Sequence, residues 1–160
     1  MEFKSAIENG TAAIRTSYKV GLTALGNNSK RVSSEDPRRF IGSIDLDAAL
    51  QLTQPTSPRW DYGIGYVAVS TKEVAIWIEV HPAETSEIVT MIQKLQWLKM
   101  FLNDPENGRL KALTLAAATE SLTPFQWIAS KGVDLRPTTK QEKMLRMAGF
   151  DRPKAHLNLS

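Results

Sequence analysis

The sequence predicts an α/β domain: a mixed central sheet built on a three-stranded antiparallel meander, with helices on both faces. Three observations predict it. Three strand-like runs follow one another between Phe40 and His81. The second and third are joined only by Thr71-Lys72-Glu73, short enough for an antiparallel hairpin. A helical apolar stripe and a further apolar run come next, so the chain leaves the meander and returns to the sheet. A chain of 160 residues is long enough for one domain with its own core. We place that domain at residues 1–150, with 151–160 as a C-terminal tail expected to fray.

Taken in order, Phe3, Ile7, Ile14, Tyr18, Leu22 and Leu25 recur at helical spacing and predict a helix reaching about Leu25. Gly10 and Gly21 weaken it by up to ~1 kcal/mol each, with a break expected near Gly10. Gly26-Asn27-Asn28-Ser29 is a stop signal, and Lys30 to Arg39 reads as a polar loop. The first strand is expected over Phe40–Leu50. Phe40, Gly42, Ile44, Leu46 and Ala48 alternate there with Ser43, Asp45 and Asp47. The turn Gln54-Pro55-Thr56-Ser57-Pro58 leads to a second strand, Trp60–Ser70, and then a third, Val74–His81, ended by Pro82. Gly63-Ile64-Gly65, lying inside a strand, marks a bulge or a close backbone approach and not a dinucleotide loop. Thr85 or Ser86 caps a helix running to about Leu102, with Ile88, Met91, Ile92, Leu95, Leu98 and Leu102 as its buried stripe.

Beyond the turn at Asn103-Asp104-Pro105, Leu110–Ala118 reads as a fourth strand. Thr123-Pro124-Phe125-Gln126 has the form of a helix start, with Gly132 closing that helix. Val133–Leu135 then forms a short fifth strand. Thr139 with Glu142 is a second capping box, opening a last helix closed by Gly149.

Composition excludes several chemistries. There is no cysteine, so disulfides, thiolate metal sites and cysteine nucleophiles are ruled out. With only His81 and His156, a histidine-rich zinc site is not expected. No Gly-x-Ser-x-Gly elbow and no Walker loop is present. No apolar stretch approaches the ~18–20 residues of a spanning helix, and Met1-Glu2-Phe3-Lys4 does not begin a secretory signal. A cytoplasmic protein without membrane contact is the expectation. Net charge is +3, unevenly spread: residues 1–60 carry 8 basic and 6 acidic groups, 61–108 carry 3 and 7, and 109–160 carry 9 and 4. An acidic middle between basic flanks suits a cation site beside an anionic polymer, and it also suits an uneven solvated surface.

Asp61 sits at the start of the second strand. Glu79 and His81 lie two apart near the end of the third, so both point to one face. Neighbouring antiparallel strands can bring Asp61 and Glu79 together. A hard divalent cation relieves the repulsion between two convergent carboxylates, and Mg²⁺ binds through such a pair plus waters and phosphate oxygens. Glu79 also follows the apolar run Ala75-Ile76-Trp77-Ile78, where an unpaired carboxylate is costly.

This pattern resembles the restriction-endonuclease-like superfamily, the PD-(D/E)XK nucleases, whose core order is helix, three-stranded meander, helix, strand. Trp60-Asp61 stands where Pro-Asp would, and Glu79-Val80-His81 where Glu-x-Lys would. The resemblance implies that Asp61 and Glu79 bind Mg²⁺ or Mn²⁺ and that the chain hydrolyses phosphodiester bonds of DNA or RNA. His81 replaces the motif lysine. It could act as a base or a ligand. Alternatively, Lys94 on the next helix supplies the ammonium, as in members of the superfamily that relocate it, and Gln93 and Gln96 are candidates for the glutamine some members carry there. The missing lysine also allows a catalytically inactive nucleic-acid- or protein-binding module of the same fold. A fully parallel sheet would point instead to an unrelated α/β domain.

Other residues are open to two readings. Asp45 and Asp47 share a strand face and form either a second metal pair or an exposed polar face. Trp60, Trp77, Trp97 and Trp127 are stacking platforms or core. Arg38, Arg39, Arg59 and the run Lys140, Lys143, Arg146, Arg152 and Lys154 could contact phosphates or simply face solvent. Exposed strand edges also allow a homodimer.

Overall fold

The structure, a computed structural model, describes residues 1–136 and 139–160. Its elements in chain order are α1 (Glu2–Glu8), β1 (Lys19–Val20), β2 (Val32–Ser33), β3 (Phe40–Asp45), α2 (Leu46–Leu50), β4 (Tyr62–Val67), β5 (Glu73–Glu84), α3 (Ile88–Asn103), α4 (Gly108–Thr119), β6 (Phe125–Asp134), α5 (Lys140–Met147) and β7 (Leu157–Asn158). The main sheet has five strands in the order β1-β3-β4-β5-β6. β3, β4 and β5 are antiparallel neighbours, which is the expected meander, and β6 adds in parallel to β5. The architecture is therefore mixed α/β and the sheet is not fully parallel.

Alternation sorts the sheet's side chains. Ile44, Ala75, Trp77, Trp127 and Ala129 share a buried cluster with Phe3 and Ile7 of α1 and with Met91, Leu95 and Leu98 of α3. The indole N–H of Trp77 donates to Thr114 Oγ1 at 2.8 Å, tying α4 to the same face. Ile64, Tyr66, Val74, Ile76, Ile78 and Ile128 form the second cluster with Leu25, Val32, Leu157 and Leu159. The cover on that face is the 3-10 segment Thr23–Arg31 and the small parallel pair β2–β7. Gly63 and Gly65 are the expected close approaches: a Cβ would sit 2.6 Å from Trp77 at the first and 2.5 Å from Phe3 at the second.

Several elements differ from expectation. The first helix stops at Glu8, and a 3-10 turn follows at Ala12–Ile14. Gly10 has no room for a side chain, since a Cβ would meet Ile14 at 2.7 Å. β3 ends at Asp45, whose carboxylate accepts the Ala48 N–H at 2.9 Å and caps α2, so Leu46–Leu50 is helical. β5 runs through Pro82. A proline is tolerated at a bulge, and the register with β6 shifts between His81 and Ala83.

The largest difference is that helix and strand are exchanged between residues 110 and 134. Residues 110–118 are helical, burying Leu110, Leu113, Thr114 and Ala117 at helical spacing, and alanine favours that state. Residues 125–134 are the strand β6, with Pro124 just before it. Gln126, Trp127, Ile128 and Ala129 are all buried, as in a strand covered on both faces. Thr139 does cap the last helix, accepting the Glu142 N–H at 3.2 Å. The segment expected to fray is packed instead: Leu157 and Leu159 are buried, and Tyr66 Oη donates to the Leu159 carbonyl at 2.5 Å.

Candidate functional site

The site forms where β3 has ended, β4 begins and β5 continues. Leu46 donates its N–H to the Asp61 carbonyl at 2.8 Å, holding the residue before β4 against the end of β3. Asp61 and Glu79 then bond reciprocally across the β4–β5 gap. The Asp61 N–H donates to Glu79 Oε2 at 2.8 Å, and the Val80 N–H donates to Asp61 Oδ2 at 3.1 Å. Each carboxylate satisfies a backbone donor that the sheet leaves unpaired there.

Glu79 is 1% exposed and lies on the face covered by α3. Lys94, one turn and a half into α3, directs its Nζ onto Glu79 Oε1 as a close ion pair. His81 lies on the same face of β5. Its Nδ1 is 4.0 Å from Glu79 Oε1, and its Nε2 bonds Glu87 Oε2 at 2.9 Å. The order Glu87, His81, Glu79, Lys94 is thus a continuous chain of polar contacts, with Asp61 joining at Glu79.

Burial dominates the electrostatics. It pushes the Glu79 carboxyl up to about 8, with the charge of Asp61 adding to the rise and the Lys94 ammonium opposing it. Asp61 is also held above the ordinary aspartate range by burial, opposed by Lys94 and by the bond from Val80. A sheltered carboxyl whose proton affinity is raised by burial and by the charge of a second carboxylate is an arrangement that a cation stabilises.

All four sequence candidates, Asp61, Glu79, His81 and Lys94, therefore come together. Gln93 and Gln96 lie on the exposed side of α3. Asp45 and Asp47 are not on a common strand face, because α2 begins between them. Asp45 caps that helix, and Asp47 accepts from Arg59 Nε at 2.9 Å. Trp60, Trp77 and Trp127 are fully buried core, while the partly exposed Trp97 stacks on Phe101 and donates to Gln54. Glu87 joins this group without any sequence pattern that marks it. Its place beside His81 depends on the turn from β5 into α3, which has no periodic signature.

Among the described residues, no group of three or more His, Asp or Glu side chains is arranged to hold a metal ion. No helix among them is long and apolar enough to cross a membrane. A cavity of about 750 Å³ lies elsewhere, lined in part by Ser5, Lys72, Arg109 and Leu113. The fold and site together define a mixed α/β domain with two adjoining carboxylates at a strand junction, one of them buried and paired with a lysine. No known family, no curated protein and no solved structure matches this chain.

Proposed function

We propose that the chain is a divalent-metal-dependent nuclease with a restriction-endonuclease-like core, in which α3 delivers the lysine that the third strand lacks. The observation that carries this reading is the convergence of Asp61, Glu79 and Lys94 at the β4–β5 junction. The topology supports it: an antiparallel meander preceded by α1, followed by helix and by a strand parallel to β5.

The donor set fits Mg²⁺ or Mn²⁺. Asp61 and Glu79 offer hard oxygens, Asp61 Oδ1 has no partner among the described residues, and a small divalent ion needs only one or two carboxylates beside water and phosphate. When bound, the ion supplies Lewis acidity that neutralises a scissile phosphate and acidifies water. Lys94 Nζ, beside Glu79 Oε1, donates to the attacking water and orients it. Glu87 fixes the His81 ring so that Nδ1 faces the same carboxylate and can take up a proton there. Mixing purified protein with Mn²⁺ and single- and double-stranded DNA and RNA tests this. Cleavage is expected to fall at least 100-fold in Asp61→Asn, Glu79→Gln and Lys94→Met. Equal cleavage by wild type and these variants, or none by any, overturns the nuclease reading.

One observation favours a second reading, a binding module of the same fold without catalysis. Both Glu79 oxygens are already engaged, Oε2 by the Asp61 N–H and Oε1 by Lys94. Such a module binds nucleic acid with a steep salt dependence and no requirement for metal.

A further inference from the structure

On the opposite face of the sheet from Glu79, at the same level, lies a set of donors that the proposed chemistry does not use. Tyr62 opens β4 and pairs in register with Ile78. Tyr62 and Val80 both pack against the second core cluster, away from the face of Trp77 and Glu79. Asn28, in the 3-10 segment over this face, donates Nδ2–H to Tyr62 Oη at 3.1 Å. Arg31 donates Nε–H to Asn28 Oδ1 at 3.1 Å and Nη1–H to the Ala129 carbonyl at 3.3 Å. Ala129 pairs with His81. The network therefore reaches from β4 to β6, crossing β5 beside Val80.

Its bonding is one-sided. The Asn28 and Ala129 oxygens are taken, and the Tyr62 oxygen already accepts from Asn28. What remains unspent among the described residues is donors: the Tyr62 O–H and Arg31 Nη2. The guanidinium is anchored at two of its nitrogens and so is preorganised toward an anionic oxygen.

The sheet is notched beside this network. β3 stops at Asp45 and β4 starts at Tyr62, while β5 and β6 run on to Glu84 and Asp134. Past Ile78, β5 has no strand on the β4 side. Asp61, immediately before Tyr62, sits at the floor of that notch.

Resting on the nuclease assignment, we propose that Arg31 and Tyr62, braced by Asn28, bind the phosphodiester backbone of a nucleic-acid strand that lies along the notch, at a phosphate neighbouring the one held beside Asp61. Both residues act as positioning groups for the substrate.

The test is fluorescence anisotropy with labelled single-stranded DNA, duplex DNA and single-stranded RNA in EDTA, so that binding is read without cleavage. Arg31→Met is expected to weaken binding of the preferred oligonucleotide about tenfold and to reduce its salt slope by about one phosphate contact. Tyr62→Phe, which keeps the packing and removes one donor, is expected to weaken it about threefold. Lys111→Met, on the exposed side of α4, removes the same charge far from the notch and is the control. If wild type binds an oligonucleotide and both variants match Lys111→Met, the backbone site is refuted while the nuclease reading stands. If wild type binds none of the three, the nuclease reading falls and the backbone site falls with it. Should Arg31→Met fail to fold, Tyr62→Phe alone decides.

Discussion

Two acidic clusters lie close to each other at the junction of β3, β4 and β5, and each consists of two carboxylates and one cation. In one, Asp45 caps α2 and Asp47 pairs with Arg59. In the other, Asp61 and Glu79 share Lys94. The side chain of Asp47 is 44% exposed, that of Glu79 1%. Water reaches Asp47 while Arg59 is largely enclosed, so the carboxylates of the first cluster serve as a helix cap and a half-exposed ion pair. Protein surrounds the second, so each charge there depends on its neighbours, and the arrangement is costly unless cation and carboxylates are all present. Burial, more than the number of acids, separates a structural cluster from a candidate site.

Removing the cation from each cluster should expose that difference most strongly. Lys94→Met leaves Glu79 enclosed without its ammonium, which costs on the order of 3–5 kcal/mol when a buried pair is broken. The loss should be greatest above pH 8 and smaller near pH 5, where Glu79 can hold a proton instead. Arg59→Met breaks a pair with one solvated partner and should cost about 1 kcal/mol or less, with little dependence on pH. Urea unfolding of both variants at pH 5 and pH 8.5 measures this. Equal losses would mean that the two clusters are energetically alike.

A second effect concerns protons and metal. The native Glu79 carboxyl is pushed up from 4.5 to about 8, and Asp61 is raised as well. Between those limits the unfolded chain has released the Glu79 proton while the native protein still binds it. The metal-free protein should therefore lose stability as pH rises from about 4.5 and level off above about 8. Glu79→Gln should flatten most of that decline. A divalent ion competes with the proton, so Mn²⁺ should stabilise wild type more at pH 8 than at pH 5, by about 2.7 kcal/mol when present at a hundred times its dissociation constant. Asp61→Asn should lose that gain and Asp47→Asn keep it. Melting curves in EDTA and in Mn²⁺ decide. An unchanged slope in Glu79→Gln would show that this carboxyl does not set the pH dependence.

The site was more legible in the sequence than the fold around it, for a physical reason. Glu79 interrupts an apolar run, and an acid in that position needs partners whatever the tertiary arrangement. Asp61 precedes the neighbouring strand, and Lys94 follows on the next amphipathic stripe. Residues 110–134 invert the expectation because their apolar pattern carries little period. The α4 sequence has Leu115 exposed and Ala117 buried, so its alanines and leucines look like an unbroken apolar run. The first half of β6, residues 126–129, is covered on both faces and shows no alternation, and Thr123-Pro124 mimics a helix start. Asn28 and Arg31 could not be found at all. They lie in what reads as a turn and a polar loop, and only the folding of that segment over the sheet brings them to Tyr62.

The smallest expected effect isolates the exposed cluster. Asp45 accepts the Ala48 N–H as the cap of the five-residue helix α2. Asp45→Ala removes that acceptor and should cost about 1 kcal/mol, the usual worth of such a cap. Asp45 is itself held above the ordinary aspartate range, chiefly by burial, and its charge reaches Asp61 only across space. The substitution should therefore leave the Mn²⁺-dependent gain in melting temperature of wild type intact. If Asp45→Ala abolished that gain, the cation would depend on Asp45 as well, and the division into a structural and a functional cluster would have to be redrawn with three carboxylates on one side of it.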